Sequence, residues 1–100
     1  MDTEAIFKAL SNPIRRQILQ CLKDPERMIP QDDCPRDFSR GVCAGQIEKI
    51  ADISQSTMSN HLSILQQAGL VIVTKHGQWS YFSRNEALIQ QFIEHLQRTL

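Results

Sequence analysis

One hundred residues, 41% of them hydrophobic, with eleven basic and eleven acidic side chains balancing to zero, suit a single small globular domain near the lower limit of what buries a core unaided. No run approaches the ~18 apolar residues of a membrane span, and the acidic opening MDTEAIFKAL lacks a secretory hydrophobic region, so a cytoplasmic chain with no membrane contact is expected. The three cysteines, Cys21, Cys34 and Cys43, are too few for a disulfide framework, and the zero net charge excludes polyanion binding driven by bulk charge alone.

Thr3 is expected to cap a first short helix with Ile6, Phe7, Ala9 and Leu10 as its apolar residues. Asn12-Pro13 then starts a second helix, reaching about Lys23, because a proline lacks only the amide that the first helical position leaves unpaired anyway. Its buried side should carry Ile14, Ile18, Leu19 and Leu22. Residues 24–42, DPERMIPQDDCPRDFSRGV, hold three of the four prolines and no sustained period, so they read as a long inserted loop, a kind of segment that commonly carries function. A third helix, roughly Cys43 to Asp52, turns Ile47 and Ile50 inward and leads into a short turn.

The next stretch, SQSTMSNHLSILQQAGLV, carries the strongest signal. Met58, Leu62 and Leu65 recur at helical spacing with Ile64 beside them, giving one apolar stripe. Ser54 is placed to cap the first turn, and Gly69 sits where a left-handed stop belongs. The opposite side of this helix, 54–67, presents Gln55, Ser56, Thr57, Ser59, Asn60, His61 and Ser63, side chains that donate and accept hydrogen bonds as base-edge and phosphate contacts require. An ordinary solvated face would carry Lys and Glu. Third helix, turn and this helix form a helix-turn-helix.

After it the period switches from 3.6 to 2. Val71-Ile72-Val73-Thr74-Lys75 and Trp79-Ser80-Tyr81-Phe82-Ser83, joined at His76-Gly77-Gln78, predict a hairpin over 71–83, a wing behind the reading helix. The last helix, 85–100, starts at Asn85 and shows Leu88, Phe92, Leu96 and Leu100 on one row with Ile89 and Ile93 beside it. So wide a stripe needs cover that a small chain cannot supply, which predicts a homodimer seam of Ile6, Leu88, Ile89, Phe92, Ile93 and Leu96. From Ile53 to Asn85 there is no Asp or Glu, while Lys75 and Arg84 are basic, so the neutral chain has one side that does not repel a polyanion.

Three segments, ALSNPIRRQIL, ISQSTMSNHLSILQQAGLV and HGQWSYFS, stand in an order and spacing that resembles the ArsR/SmtB family of winged-helix bacterial repressors over nearly the whole chain. The resemblance implies a mainly α fold with a small β-hairpin (α+β), a winged helix-turn-helix in a homodimer that binds double-stranded operator DNA and leaves it when an effector acts. It places DNA contacts at Gln55, Ser56, Ser59 and Asn60, and at Lys75, His76, Gly77 and Gln78 on the wing tip. Arsenic sensors of that family carry Cys-x-Cys where this chain has Cys43-Ala44-Gly45, and the last-helix ligands of its zinc sensors are replaced by Asn85-Glu86-Ala87 with His95 alone. No metal site and no cofactor are therefore expected.

The effector is expected to be a small molecule or an oxidant. For the latter, the loop lets Cys34 meet Cys43, whose thiolate a helix N-terminus would favour, giving a redox switch; the simpler reading makes both thiols incidental. Cys21 reads as an inert core thiol, Arg15 and Arg16 as structural ion pairs, Trp79 and Tyr81 as wing packing, and His95 as a rim residue. No catalytic set is visible, and an enzyme is not expected. A winged-helix module for protein contact and a thiol redox enzyme stay open as alternatives; the first would want apolar anchors on the polar face, the second a Cys-x-x-Cys motif.

Overall fold

A computed structural model describes residues 1–30 and 37–100 of the chain. Among these residues, six α-helices and three strands follow in the order α1 (Thr3–Leu10), α2 (Pro13–Lys23), α3 (Pro25–Met28), β1 (Val42–Cys43), α4 (Ala44–Ile47), α5 (Gln55–Gln67), β2 (Val71–His76), β3 (Trp79–Arg84) and α6 (Glu86–Thr99), with a 3-10 turn at Glu48–Ile50. This is a winged helix-turn-helix: α4 with its 3-10 turn, then α5, then the β2–β3 wing.

Local chemistry explains the boundaries. The Asp2 carboxylate, not Thr3, caps α1 by accepting the Ala5 amide at 3.1 Å; Thr3 is the first helical residue, and Asp is the stronger acceptor beside a helix N-terminus. Asn12 accepts the Ile14 and Arg15 amides at 2.8 and 3.2 Å, so Pro13 takes the first position of α2 as expected. Ser54 Oγ accepts from the Thr57 amide, and α5 stops at Gly69, whose φ of +85° is one that a Cβ disfavours.

The third helix is shorter than its pattern suggested. Cys43 is the N-cap, α4 runs only to Ile47, and the chain tightens into the 3-10 turn before Ala51, so Asp52 falls outside it. The inserted segment is also less loop-like than expected, because Pro25 opens the one-turn helix α3 and Ile29 and Val42 are buried. Val42 and Cys43 pair antiparallel with Phe82 and Tyr81, which makes the wing a three-stranded sheet in the order β1-β3-β2.

Ile6, Ile18, Ile47, Met58 and Leu65 are fully buried and join Val42, Leu70 and Phe82 in one core. At about 1.5–3 kcal/mol for each large aliphatic side chain, Met58, Leu62 and Leu65 fix how α5 is rotated, and so which residues face outward. Asn85 ties three elements together. Its amide bonds Leu70 O, its Nδ2 donates to Gly69 O at 3.0 Å, and its Oδ1 caps α6, so α6 is anchored to the end of the reading helix.

The apolar seam expected along α1 and α6 divides in two. Ile6 is 0% exposed and Phe92 5%, because α1 packs on α5 and Phe92 meets the Phe7 ring edge-on at 5.2 Å. Those two side chains belong to the protomer's own core, not to a seam. Leu88, Ile89 and Leu96 are half-buried against that core, whereas Phe7 and Ile93 stay more than 40% exposed.

Candidate nucleic-acid interface

Helix α5 is thirteen residues long, about 20 Å at 1.5 Å per residue, a length and width that a B-DNA major groove admits. With Met58, Leu62 and Leu65 inward, its polar side divides into three strips. Ser56 and Asn60 are exposed on the outward strip. Gln55 and Ser59 line, with Ser63 and Gln66, a groove of about 300 Å³ between the helix and the wing. Thr57 and His61 lie on the third side, toward α1 and α2.

Among the described residues, Gln55, Ser59, Asn60 and Ser63 make no side-chain hydrogen bond within the protein. An exposed row of unpaired amides and hydroxyls is free to read a ligand's own donors and acceptors. Ser56 and Thr57 are less available, since both hydroxyls contact Ser54 Oγ at the cap, at 3.2 and 2.8 Å.

His61 is held by a residue 46 positions earlier. Arg15 Nη1 lies 3.2 Å from His61 Nδ1, and a guanidinium only donates, so Nδ1 accepts and the ring proton sits on Nε2. The same Arg15 donates Nε to Ala9 O at 2.7 Å and Nη2 to Lys8 O at 3.0 Å, and Arg16 donates to Leu10 O. The two arginines therefore clasp the carbonyl end of α1, where cations are favoured, in place of the ion pairs expected for them. Burial, and then the Arg15 charge, hold the His61 imidazole below its ordinary value of 6.5.

The unfolded chain thus takes up that proton more readily than the folded one, so stability is lost as pH falls below 6.5 toward the lowered folded value. Urea midpoints at pH 7.5 and pH 5 should differ by more in the wild type than in His61→Gln. Equal differences would show that the clasp does not discriminate between the two protonation states.

On the wing, Gly77-Gln78 forms a two-residue turn, with φ +62° at Gly77, as a type II′ hairpin requires. Lys75, His76, Gly77 and Gln78 are all exposed. Trp79 is 56% exposed at the tip, so it is not wing packing; Tyr81, half-buried, is. Arg84 contributes less positive field than the sequence suggested, because Glu86 takes it at 2.9 Å. Among the described residues 53–85, Lys75 is then the unpaired full cation. Sequence reasoning also missed Glu48, Gln66 and Ser80, which line the groove beside α5; the fold brings Glu48 to a surface whose own segment has no acid.

Cys21 is buried, and desolvation pushes its thiol up to about 11, which makes it inert. The Cys43 thiol donates to Gln46 Oε1 at 3.3 Å. Cys34, and with it the expected pairing to Cys43, lies outside the described residues. Among those residues no three His, Cys, Asp or Glu side chains gather as a metal site, and no helix is long and apolar enough to cross a membrane.

The family model for bacterial regulatory proteins of the arsR family matches residues 40–73, the span from the strand before α4 into the wing. The HTH-type transcriptional regulator YbzH of Bacillus subtilis is 38% identical over 96 residues, 96% of each chain. The chain belongs to the arsR family. It is a DNA-binding transcriptional regulator and not an enzyme. The transcriptional repressor SdpR of the same bacterium is 34% identical across 88% of this arsR-family chain and 81% of its own. An ArsR-like regulator from Rhodococcus shares the fold with a TM-score of 0.72 at 24% identity, over 97% of this chain and 77% of that one.

Proposed function

We propose that this regulator acts in the cytoplasm as a homodimeric repressor. Each α5 lies in a major groove of a pseudo-palindromic operator, and each wing tip lies on the flanking backbone. The observation that carries this reading is the unpaired hydrogen-bonding surface of Gln55, Ser59, Asn60 and Ser63 beside the exposed Lys75 and His76. The bases are assigned to Gln55 and Asn60, since their side-chain amides can donate and accept at one base edge. Ser56, Thr57 and Ser59, with Ser63, are assigned to phosphates and short base contacts, and His61 Nε2–H to a phosphate at the helix flank. Lys75, His76, Gly77 and Gln78 supply the wing's contacts. The uncovered side of α1 and α6, Phe7 with Ile93 and the half-buried Leu88, Ile89 and Leu96, forms the seam between protomers. The name of the relative SdpR supports repression over activation.

Salt dependence tests the wing. Lys75→Ala should weaken binding to operator and non-operator duplexes alike and lower the slope of log affinity against log salt by about 1 for each wing. A variant with unchanged slope would remove Lys75 from the backbone contacts.

A further inference from the structure

We infer that the chain carries a second site, a pocket for a small amphipathic anion between the inserted segment and the wing, and that its occupant releases DNA. A cavity of about 450 Å³ opens there, within the 300–1,000 Å³ usual for small-molecule sites. Its apolar side is Leu22 and Pro25 from the end of α2 and the start of α3, with Phe38; all three are half-buried. Its polar side is Arg40, Lys75 and His76.

Among the described residues, no Asp or Glu lines it. Of the two acids beside lining residues in sequence, Asp24 pairs with Arg27 at 3.3 Å and Asp37 accepts the Ser39 amide at 3.0 Å; that bond, then the Ser39 hydroxyl and the Arg40 charge, hold the Asp37 carboxyl low. An apolar wall facing two cations selects a carboxylate with a hydrocarbon or aromatic body. A bare anion would leave the wall wet, and a neutral hydrocarbon would leave the cations unmatched. No residue of α5 lines the cavity, so it is distinct from the reading surface.

The pocket shares Lys75 and His76 with the wing tip, and the regulatory half of the inference rests on the proposed wing contact with DNA. A carboxylate beside those residues cancels the charge that meets the phosphates, so ligand and operator compete. The inserted segment thereby acquires a role, since without Phe38 and Arg40 neither wall would be complete.

Amide chemical shifts of nitrogen-labelled full-length chain, titrated with decanoate and separately with phenylacetate, test the site. Shifts should saturate and cluster at Phe38–Val42 and Thr74–His76, with acetate producing none at equal concentration. Arg40→Ala, and Thr74→Trp, which fills the cavity from an exposed strand position, should each weaken binding at least tenfold. Absent shifts, shifts confined to α1 and α6, or unchanged affinity in both variants would overturn the site. In gel shifts decanoate should release wild-type protein but not Thr74→Trp. Saturated shifts with operator binding unaffected would overturn the regulatory half alone, and would leave both the pocket and the DNA-reading assignment standing.

Discussion

Ile93→Asp is expected to give a folded monomer, and Phe92→Asp no folded protein, although the two side chains are neighbours on one helix. Phe92 is 5% exposed and packs against Phe7. Removing a buried Phe costs about 3–5 kcal/mol, and an unpaired carboxylate in its place adds several more, against a total stability of about 5–15 kcal/mol for a domain. Ile93 is 42% exposed, so the protomer loses little when it changes. A dimer would bury two new carboxylates near its axis and come apart. Losing the second reading helix should reduce operator affinity by about 10²- to 10⁴-fold, the gain that linking two sites gives. Sedimentation and circular dichroism read the outcome. A folded dimer in Ile93→Asp would place the seam elsewhere, and a folded Phe92→Asp would refute the packing assigned to α1 and α6.

Gln55→Ala and Asn60→Ala are each expected to cost about 1–3 kcal/mol of discrimination between operator and scrambled duplex, while non-specific affinity stays near the wild-type value. Both side chains are exposed and unpaired among the described residues, so neither truncation should unfold the chain. Asn60 stands on the outward strip and Gln55 in the groove beside the wing, about five positions apart on the helix, and well-separated contacts add. The double variant should therefore lose roughly the sum. Competition gel shifts measure it, and equal loss on both duplexes would move these residues from base reading to phosphate contact.

What the sequence made legible was local. Ser54, Asn12-Pro13, Gly69 and Gly77 each act within four residues of themselves, as does Asn85 in capping α6, and the period of Met58, Leu62 and Leu65 orients α5 without reference to the rest of the chain. Apart from the α1 cap, which is Asp2 and not Thr3, the main misses are relations across distance. Two residues, Val42 and Cys43, are too few to alternate, so β1 exists only because β3 offers a free edge some forty positions later. The Arg15 clasp on His61 spans 46 positions, and nothing near either residue announces it. Period placed Ile6 and Phe92 on apolar faces correctly, yet whether a neighbouring helix or a second protomer covers them is decided by packing. Glu48 entered the reading groove the same way, through a turn that the third helix's pattern concealed.

Selection of bound duplexes from a randomised pool by the wild-type chain tests most directly whether two α5 helices read DNA together. The recovered sequences should converge on an inverted repeat whose half-site centres lie about 10–10.5 base pairs, or a multiple of that, apart. Gln55→Ala should relax the choice at matching positions in both halves. Convergence on a single unrepeated site, or no convergence at all, would contradict it.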